Sequence, residues 1–153
     1  MKSKIYIFIA LASIIFLSSC CSTCRVSNSK AKKMLTQNQW SVKSISGVNE
    51  KFSSTENIYT LNFNSRSGEF DGLENGNKYF GSYNTFDRSG LKLTPKGTSK
   101  YECDSDFTER KFMETLSVVD EFAFDETDLV LLNNGEVVMV FRSISRSDKI
   151  KNK

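Results

Sequence analysis

The chain has 153 residues, of which 39% are hydrophobic and 25% charged, values that fit one globular domain with appendages. It contains no histidine, which excludes imidazole catalysis and histidine-ligated metal sites. From Cys20 onward, 19 basic residues (21 less Lys2 and Lys4) accompany 18 acidic ones. The resulting charge of +1 does not favour nucleic acid as a partner.

Residues 1–19 have the pattern of a lipoprotein signal peptide. Lys2 and Lys4 precede an apolar run over residues 5–17 that is too short for a mature transmembrane helix. The segment LSSC resembles the lipobox of bacterial lipoproteins, in which the final cysteine is lipidated and becomes the new N-terminus. Cys20 is therefore the predicted lipidation site and the anchor to a membrane. An ordinary secretory signal is the alternative, and it also places the domain outside the cytoplasm.

Residues 20–34 are polar and basic, and they are predicted to form a flexible, lipidated tether with an r.m.s. span of about 20 Å. Cys21 and Cys24 form a C-x-x-C, but the βαβ surroundings of a redox site are missing. The pair is interpreted as tether cysteines, open to oxidation. No acidic residue follows Cys20 closely, so we expect an outer-membrane anchor facing the periplasm.

Alternating apolar and polar residues predict five short strands after residue 35. Turns containing glycine separate them, and they lie in QWSVKSI, IYTLNFN, the segment around Phe70, KYFGSYNTF and LKLTP. Tyr59, Leu61 and Phe63 form the predicted core face of the second strand. Tyr79 and Phe80 are adjacent in a strand, so they point to opposite sides and one of them is expected to be exposed or to pack beneath a helix.

The stretch DGLENGNKYFGSYN (71–84) is interpreted as a turn followed by an aromatic strand. Its oxygen-bearing side chains, Asp71, Glu74, Asn75 and Asn77, could instead bind calcium. Their spacing does not match an EF-hand loop, and asparagine and glycine are common in turns. No metal site and no cofactor are therefore predicted.

One helix is predicted after these strands, because Phe112, Leu116 and Val119 follow helical spacing. Asp106 and Glu109 fit a capping box at its start. A strand containing Phe122 and Phe124 follows, and then a hairpin that turns at residues 133–135.

This order predicts an α+β domain over residues 35–143. Its sheet is expected to be mainly antiparallel and to form a strongly curved sheet or a partly open barrel, with one helix packed against it. A basic disordered tail is predicted over residues 144–153.

Two groups of side chains are candidate sites. Asp104, Asp106 and Glu109 could act as acid–base carboxylates, but acids at a helix start are more often caps. Aromatic side chains of a small β-rich domain more often belong to the hydrophobic core than contact a ligand. Among them, Trp40, Tyr79 and Tyr83 are the candidates to line a ligand groove.

Several motifs occur together in a characteristic order. They are Leu35 before Trp40; Phe63 to Gly68; Gly72, Asn77, Gly81 and Tyr83; Ser99 to Cys103; Glu109 with Phe112 and Leu116; and Leu129 to Arg142. Over roughly residues 35–142 the chain thereby resembles the META domain (DUF306-type). That domain occurs in bacterial envelope lipoproteins, including a heat-inducible outer-membrane one linked to novobiocin resistance.

The chain departs from this family at Gly76, where many members have a cysteine. The resemblance implies that this cysteine lies near the one matching Cys103. Cys103 therefore lacks its expected disulfide partner, a bridge typically worth about 2–4 kcal/mol. Either Cys103 is a buried free thiol, or it pairs with Cys21 or Cys24.

Together with the lipobox, these features predict a non-enzymatic, lipid-anchored envelope protein with a binding or structural role, expected to be a monomer. The resemblance implies that this role concerns stress or drug tolerance. Its partner, an envelope protein or a small molecule, is left open. One alternative is a periplasmic small-ligand carrier whose apolar pocket is lined by Trp40 or Tyr83. Another is a hydrolase built on Asp104, Asp106 or lysines.

Overall fold

Eight antiparallel strands pair in chain order, and the last pairs with the first, so the sheet closes into a barrel in this computed structural model. The structure describes residues 28–53, 55–99 and 106–144. The elements are α1 (Asn28–Gln37), β1 (Gln39–Ile45), β2 (Thr60–Asn64), β3 (Glu69–Glu74), β4 (Asn77–Phe86), β5 (Gly90–Thr98), α2 (Phe107–Val118), β6 (Glu121–Asp125), β7 (Asp128–Asn133) and β8 (Glu136–Ile144). The predicted α+β class, the curved antiparallel sheet and all eight predicted strands are confirmed.

Two of the strand pairs in the barrel differ in the number of residues that they pair. β1 and β8 pair along most of their length, from Gln39 opposite Ile144 to Ile45 opposite Met139. β5 and β6 share only the pair Gly90 and Glu121. The predicted strongly curved sheet is therefore closed into a full barrel rather than left partly open, and its narrowest connection lies between β5 and β6.

The two helices lie at different points of this ring. α2 connects β5 to β6 and packs against β5 and β1. α1 leads into β1 and packs against β2. The sequence predicted only α2. The first seven residues of α1 belong to the segment assigned to the tether, and Ala31 is buried. Neither described helix is long and apolar enough to span a bilayer.

Large side chains fill the inside of the barrel. The predicted core face of Tyr59, Leu61 and Phe63 is confirmed, since all three are buried. Phe112 of α2 inserts its ring between two tyrosines, with centroids 5.2 Å from Tyr59 and 5.4 Å from Tyr79. The helix therefore contributes to the same core as the sheet.

Two-residue turns of the type I′ kind connect two of the hairpins. Asn75 and Gly76 have φ of 49° and 86°, and Asn134 and Gly135 have φ of 52° and 79°. Residues 71–84 thus form a strand, a tight turn and a strand, which confirms the turn interpretation. Asparagine and glycine are favoured there because both tolerate positive φ.

Several predictions concern residues outside those that the structure describes. They include the signal peptide, Cys20, Cys21, Cys24, Cys103, Asp104 and residues 145–153. β8 continues to Ile144, one residue into the segment assigned to the tail.

Candidate functional site

Trp40 fixes α1 to the barrel. Its ring is 0% exposed, and its Nε1 donates a hydrogen bond of 3.0 Å to the carbonyl of Leu35, also 0% exposed. The amide of Asn38 donates to the Met34 carbonyl at 3.1 Å. Helix ends leave carbonyls without partners, and these two side chains supply donors for them. The spacing of Leu35 and Trp40 therefore lets the indole of Trp40 cap the end of α1.

Tyr79 lies across the inside of the barrel. It is 1% exposed, and its hydroxyl donates to the carbonyl of Thr60 at 2.6 Å. Gly72, opposite Tyr79 on β3, makes room for this ring, because a Cβ there would lie 2.7 Å from the Tyr79 hydroxyl. Burial, reinforced by Asp71 and Glu74, raises the pKa of Tyr79 well above its usual range.

Of the three aromatic residues predicted to line a groove, Tyr83 is the one that borders a described cleft. This cleft has a volume of about 330 Å³ and is open to solvent; its lining is Lys32, Lys33, Leu35, Thr36, Ser65, Tyr83 and Thr85. Trp40 and Tyr79 do not border it. The structure therefore does not bring the three predicted residues into one pocket.

The carboxylates at the start of α2 are used in capping, as predicted. The Asp106 side chain accepts from the Glu109 amide at 2.8 Å, and Glu109 Oε2 accepts from the Asp106 amide at 3.2 Å. Glu109 Oε1 accepts from Asn75 at 2.8 Å, which links the helix to the β3–β4 turn. Among residues 28–53, 55–99 and 106–144, no group of three or more acids or cysteines is arranged to hold a metal.

A larger, polar cleft lies between the end of α1 and the β2–β3 turn, with a volume of about 790 Å³. We call it the amide cleft, because amide side chains make up half of its lining: Thr36, Gln37, Asn38, Gln39, Asn62, Phe63, Asn64, Ser65, Arg66 and Asp71. No local sequence pattern predicts this site. Its residues come from three separate segments that only the strand register brings together.

The floor of the amide cleft is a row of side chains in direct register across the strands. Gln39 lies opposite Asn62, Asn62 opposite Asp71, and Asp71 opposite Phe80. Directly opposed residues of an antiparallel sheet point to the same side. This side is the outer one, because the neighbouring residues in each strand are buried in the core: Trp40, Leu61, Phe70 and Tyr79.

The polar groups of this row are available for a ligand. In the described part of the chain, the side chains of Gln39, Asn62 and Asp71 make no hydrogen bond to another residue. Asn64 differs, since its Oδ1 accepts from the backbone amide of Arg66 at 3.0 Å and shapes the turn that forms one wall. The lining of the cleft contains both hydrogen-bond donors and hydrogen-bond acceptors, including one carboxylate and one guanidinium.

Two solved bacterial proteins are similar to this chain in fold. A protein from Burkholderia xenovorans, solved by NMR, has 19% identity and a TM-score of 0.56, covering 78% of this chain and 90% of its own. The crystal structure of a DUF4847 family protein from Bacteroides vulgatus has 16% identity and a TM-score of 0.51, covering 73% and 96%. These identities support similarity of fold alone.

A search of curated proteins finds no match for this chain. A family model described as the META domain matches residues 33–145, most of the chain. The predicted resemblance is thereby confirmed. The chain belongs to the META domain family.

Proposed function

We propose that this protein is a lipid-anchored envelope protein whose META domain is a non-catalytic binding or structural domain that works at the amide cleft. A role in stress or drug tolerance belongs to the same proposal and rests on the family resemblance. The carrier alternative receives less support, because the two described clefts are open to solvent and the larger one is polar.

The observation that carries the binding role is the chemistry of the cleft. Its lining contains Asp71 as its one carboxylate and no cysteine, and the chain has no histidine. General acid–base catalysis uses titratable side chains positioned to transfer protons, often as a pair whose pKa values differ. Amides and hydroxyls instead suit recognition of a polar ligand. The carboxylates of Asp106 and Glu109 are occupied by capping.

The lipobox supports the anchor, and the short distance in sequence from Cys20 to α1 limits how far the domain can lie from the membrane. Only seven residues separate Cys20 from Asn28, the first residue of α1. Fully extended, this stretch reaches about 25–30 Å. An anchored Cys20 would therefore keep α1, and the amide cleft at its end, close to a membrane surface. α1 carries three lysines and no acid, a charge that favours an anionic surface.

The anchor is tested by replacing Cys20 with alanine in the full-length protein expressed in bacteria. We expect the Cys20→Ala variant to lose incorporation of labelled palmitate and to leave the membrane fraction. Cys21→Ala is the matched control, because it removes the adjacent thiol and leaves LSSC intact. It should keep both properties. A Cys20→Ala protein that is still labelled with palmitate would refute the anchor.

A further inference from the structure

We propose that the amide cleft, extended by Phe80, binds a linear chain of uncharged pyranose rings, a glycan. This deepens the binding role proposed above and rests on it. The outward row of Gln39, Asn62, Asp71 and Phe80 supports it, because three polar side chains and one aromatic ring follow one another across four strands on the curved outer surface of the barrel.

Phe80 supplies a stacking surface at one end of the row. Its side chain is 55% exposed, although phenylalanine is usually buried. Phe80 pairs with Gly97 on β5, and its ring atoms approach to 3.2 Å the position that a Cβ of Gly97 would occupy. Part of the ring therefore lies over the backbone of Gly97, where no side chain intervenes, and more than half of the side chain is exposed. A flat apolar face held in this way suits the C–H face of a sugar ring.

Gln39, Asn62 and Asp71 supply hydrogen bonds along the rest of the row. Side-chain amides donate and accept at adjacent atoms, so they match neighbouring hydroxyl groups, which also do both. Strands are spaced by about 4.8 Å, so the three steps from Gln39 to Phe80 cover about 14 Å along the curved surface of the barrel. This length accommodates a short oligosaccharide rather than a single ring. Arg66 on the wall balances Asp71, so the cleft has no charge excess to demand a charged ligand.

Other ligand classes fit this surface less well. A lipid tail needs an apolar groove, whereas the cleft lining is predominantly polar. A polyanion needs an excess of cations, and Arg66 is the one cation in the lining. An extended peptide commonly adds to an open sheet edge, but β1 to β4 are each paired on both sides along the row. A glycan remains the class that uses both the amides and the ring.

The test measures glycan binding to the full-length protein purified in detergent, by NMR titration of amide and side-chain NH₂ signals. The probes are chitotetraose, whose rings carry acetamido groups, and cellotetraose, whose rings carry hydroxyls alone. We expect saturable binding of at least one probe, with shifts at Gln39 and Asn62. Phe80→Ala should weaken binding about tenfold, and Asn62→Ala about two- to tenfold.

Phe86→Ala is the matched control for Phe80→Ala. Phe86 lies on the same strand, is 49% exposed and rests on Gly90 as Phe80 rests on Gly97, but it lies outside the row. It should bind as the unmodified protein does. If Phe80→Ala unfolds, Asn62→Ala, at a half-buried position on the outside of the barrel, gives the decisive measurement.

Three outcomes overturn the proposal. One is no saturable binding of either sugar; another is equal weakening by Phe80→Ala and Phe86→Ala. The third is tighter binding of tetra-alanine than of the sugars, which would make the cleft a peptide site and leave its proposed binding role standing. Binding in detergent does not depend on lipidation, so a failed anchor and a failed glycan site are distinguishable.

Discussion

Replacing Gly72 by alanine tests the closest packing in the barrel. The added Cβ would lie 1.9 Å from the Thr60 carbonyl oxygen and 2.7 Å from the hydroxyl of Tyr79. Carbon and oxygen atoms do not approach this closely, and a backbone oxygen cannot rotate away. β2 and β3 must therefore separate locally, or Tyr79 must leave its position.

The expected cost follows from two contributions. Overpacking a filled core costs about 1–3 kcal/mol. Loss of the Tyr79–Thr60 hydrogen bond, between two buried groups 2.6 Å apart, costs about 1–3 kcal/mol more. We therefore expect Gly72→Ala to lower the free energy of unfolding by about 2–6 kcal/mol. The free energy of unfolding of a typical domain is about 5–15 kcal/mol, so this loss is a large part of it.

Urea denaturation followed by the fluorescence of Trp40, the single tryptophan, measures this change. Gly97→Ala is the control, because its Cβ would meet only ring atoms of the exposed Phe80, at 3.2 Å and 3.3 Å. We expect it to change stability by less than about 0.5 kcal/mol. Equal effects of the two substitutions would refute the argument from close packing. Tyr79→Phe combined with Gly72→Ala should cost less than the sum of the single changes, since both disturb one contact.

Two further predictions concern buried aromatic residues. Trp40→Phe should lower the free energy of unfolding by about 2–4 kcal/mol, because it leaves the Leu35 carbonyl without its donor and opens a cavity. Urea denaturation followed by circular dichroism measures this cost, and a value below about 1 kcal/mol would contradict the prediction. Stability should also fall at alkaline pH, since burial raises the pKa of Tyr79. This contribution is complete below pH of about 10, the pKa of an unfolded tyrosine, and decreases above it by up to about 1.4 kcal/mol per pH unit. Urea titrations between pH 9 and 11 measure the slope, which Tyr79→Phe should reduce; an unchanged slope would contradict the assignment.

Local sequence patterns were sufficient to predict the strands, the capping box and the hairpin turns. Tyr59, Leu61 and Phe63 alternate with less apolar neighbours, so the core face could be identified without a structure. The Asn-Gly pair at residues 134 and 135 fixed a hairpin, because the turn depends only on local backbone conformation. Such features need no information about distant parts of the chain.

Features that depend on distant pairing were not predictable in the same way. The contact of β1 with β8 joins residues about a hundred positions apart and has no local pattern. The same applies to the amide cleft, whose floor requires the register of β1, β2 and β3. α1 was missed for a different reason: its sequence is mostly polar, and Ala31 and Leu35 are its only buried apolar residues, so few apolar residues mark its core-facing side.

The pairing of Gln39 with Ile144 has a practical consequence for any fusion protein. The chain enters the barrel and leaves it at neighbouring points, so a reporter joined directly after Ile144 would start beside the junction of α1 and β1. It would compete for space with whatever surface α1 approaches. The turn at Asn134 and Gly135 lies at the opposite end of β8, and both residues are exposed. An epitope inserted there would extend away from the chain ends and leave the closure of the barrel intact.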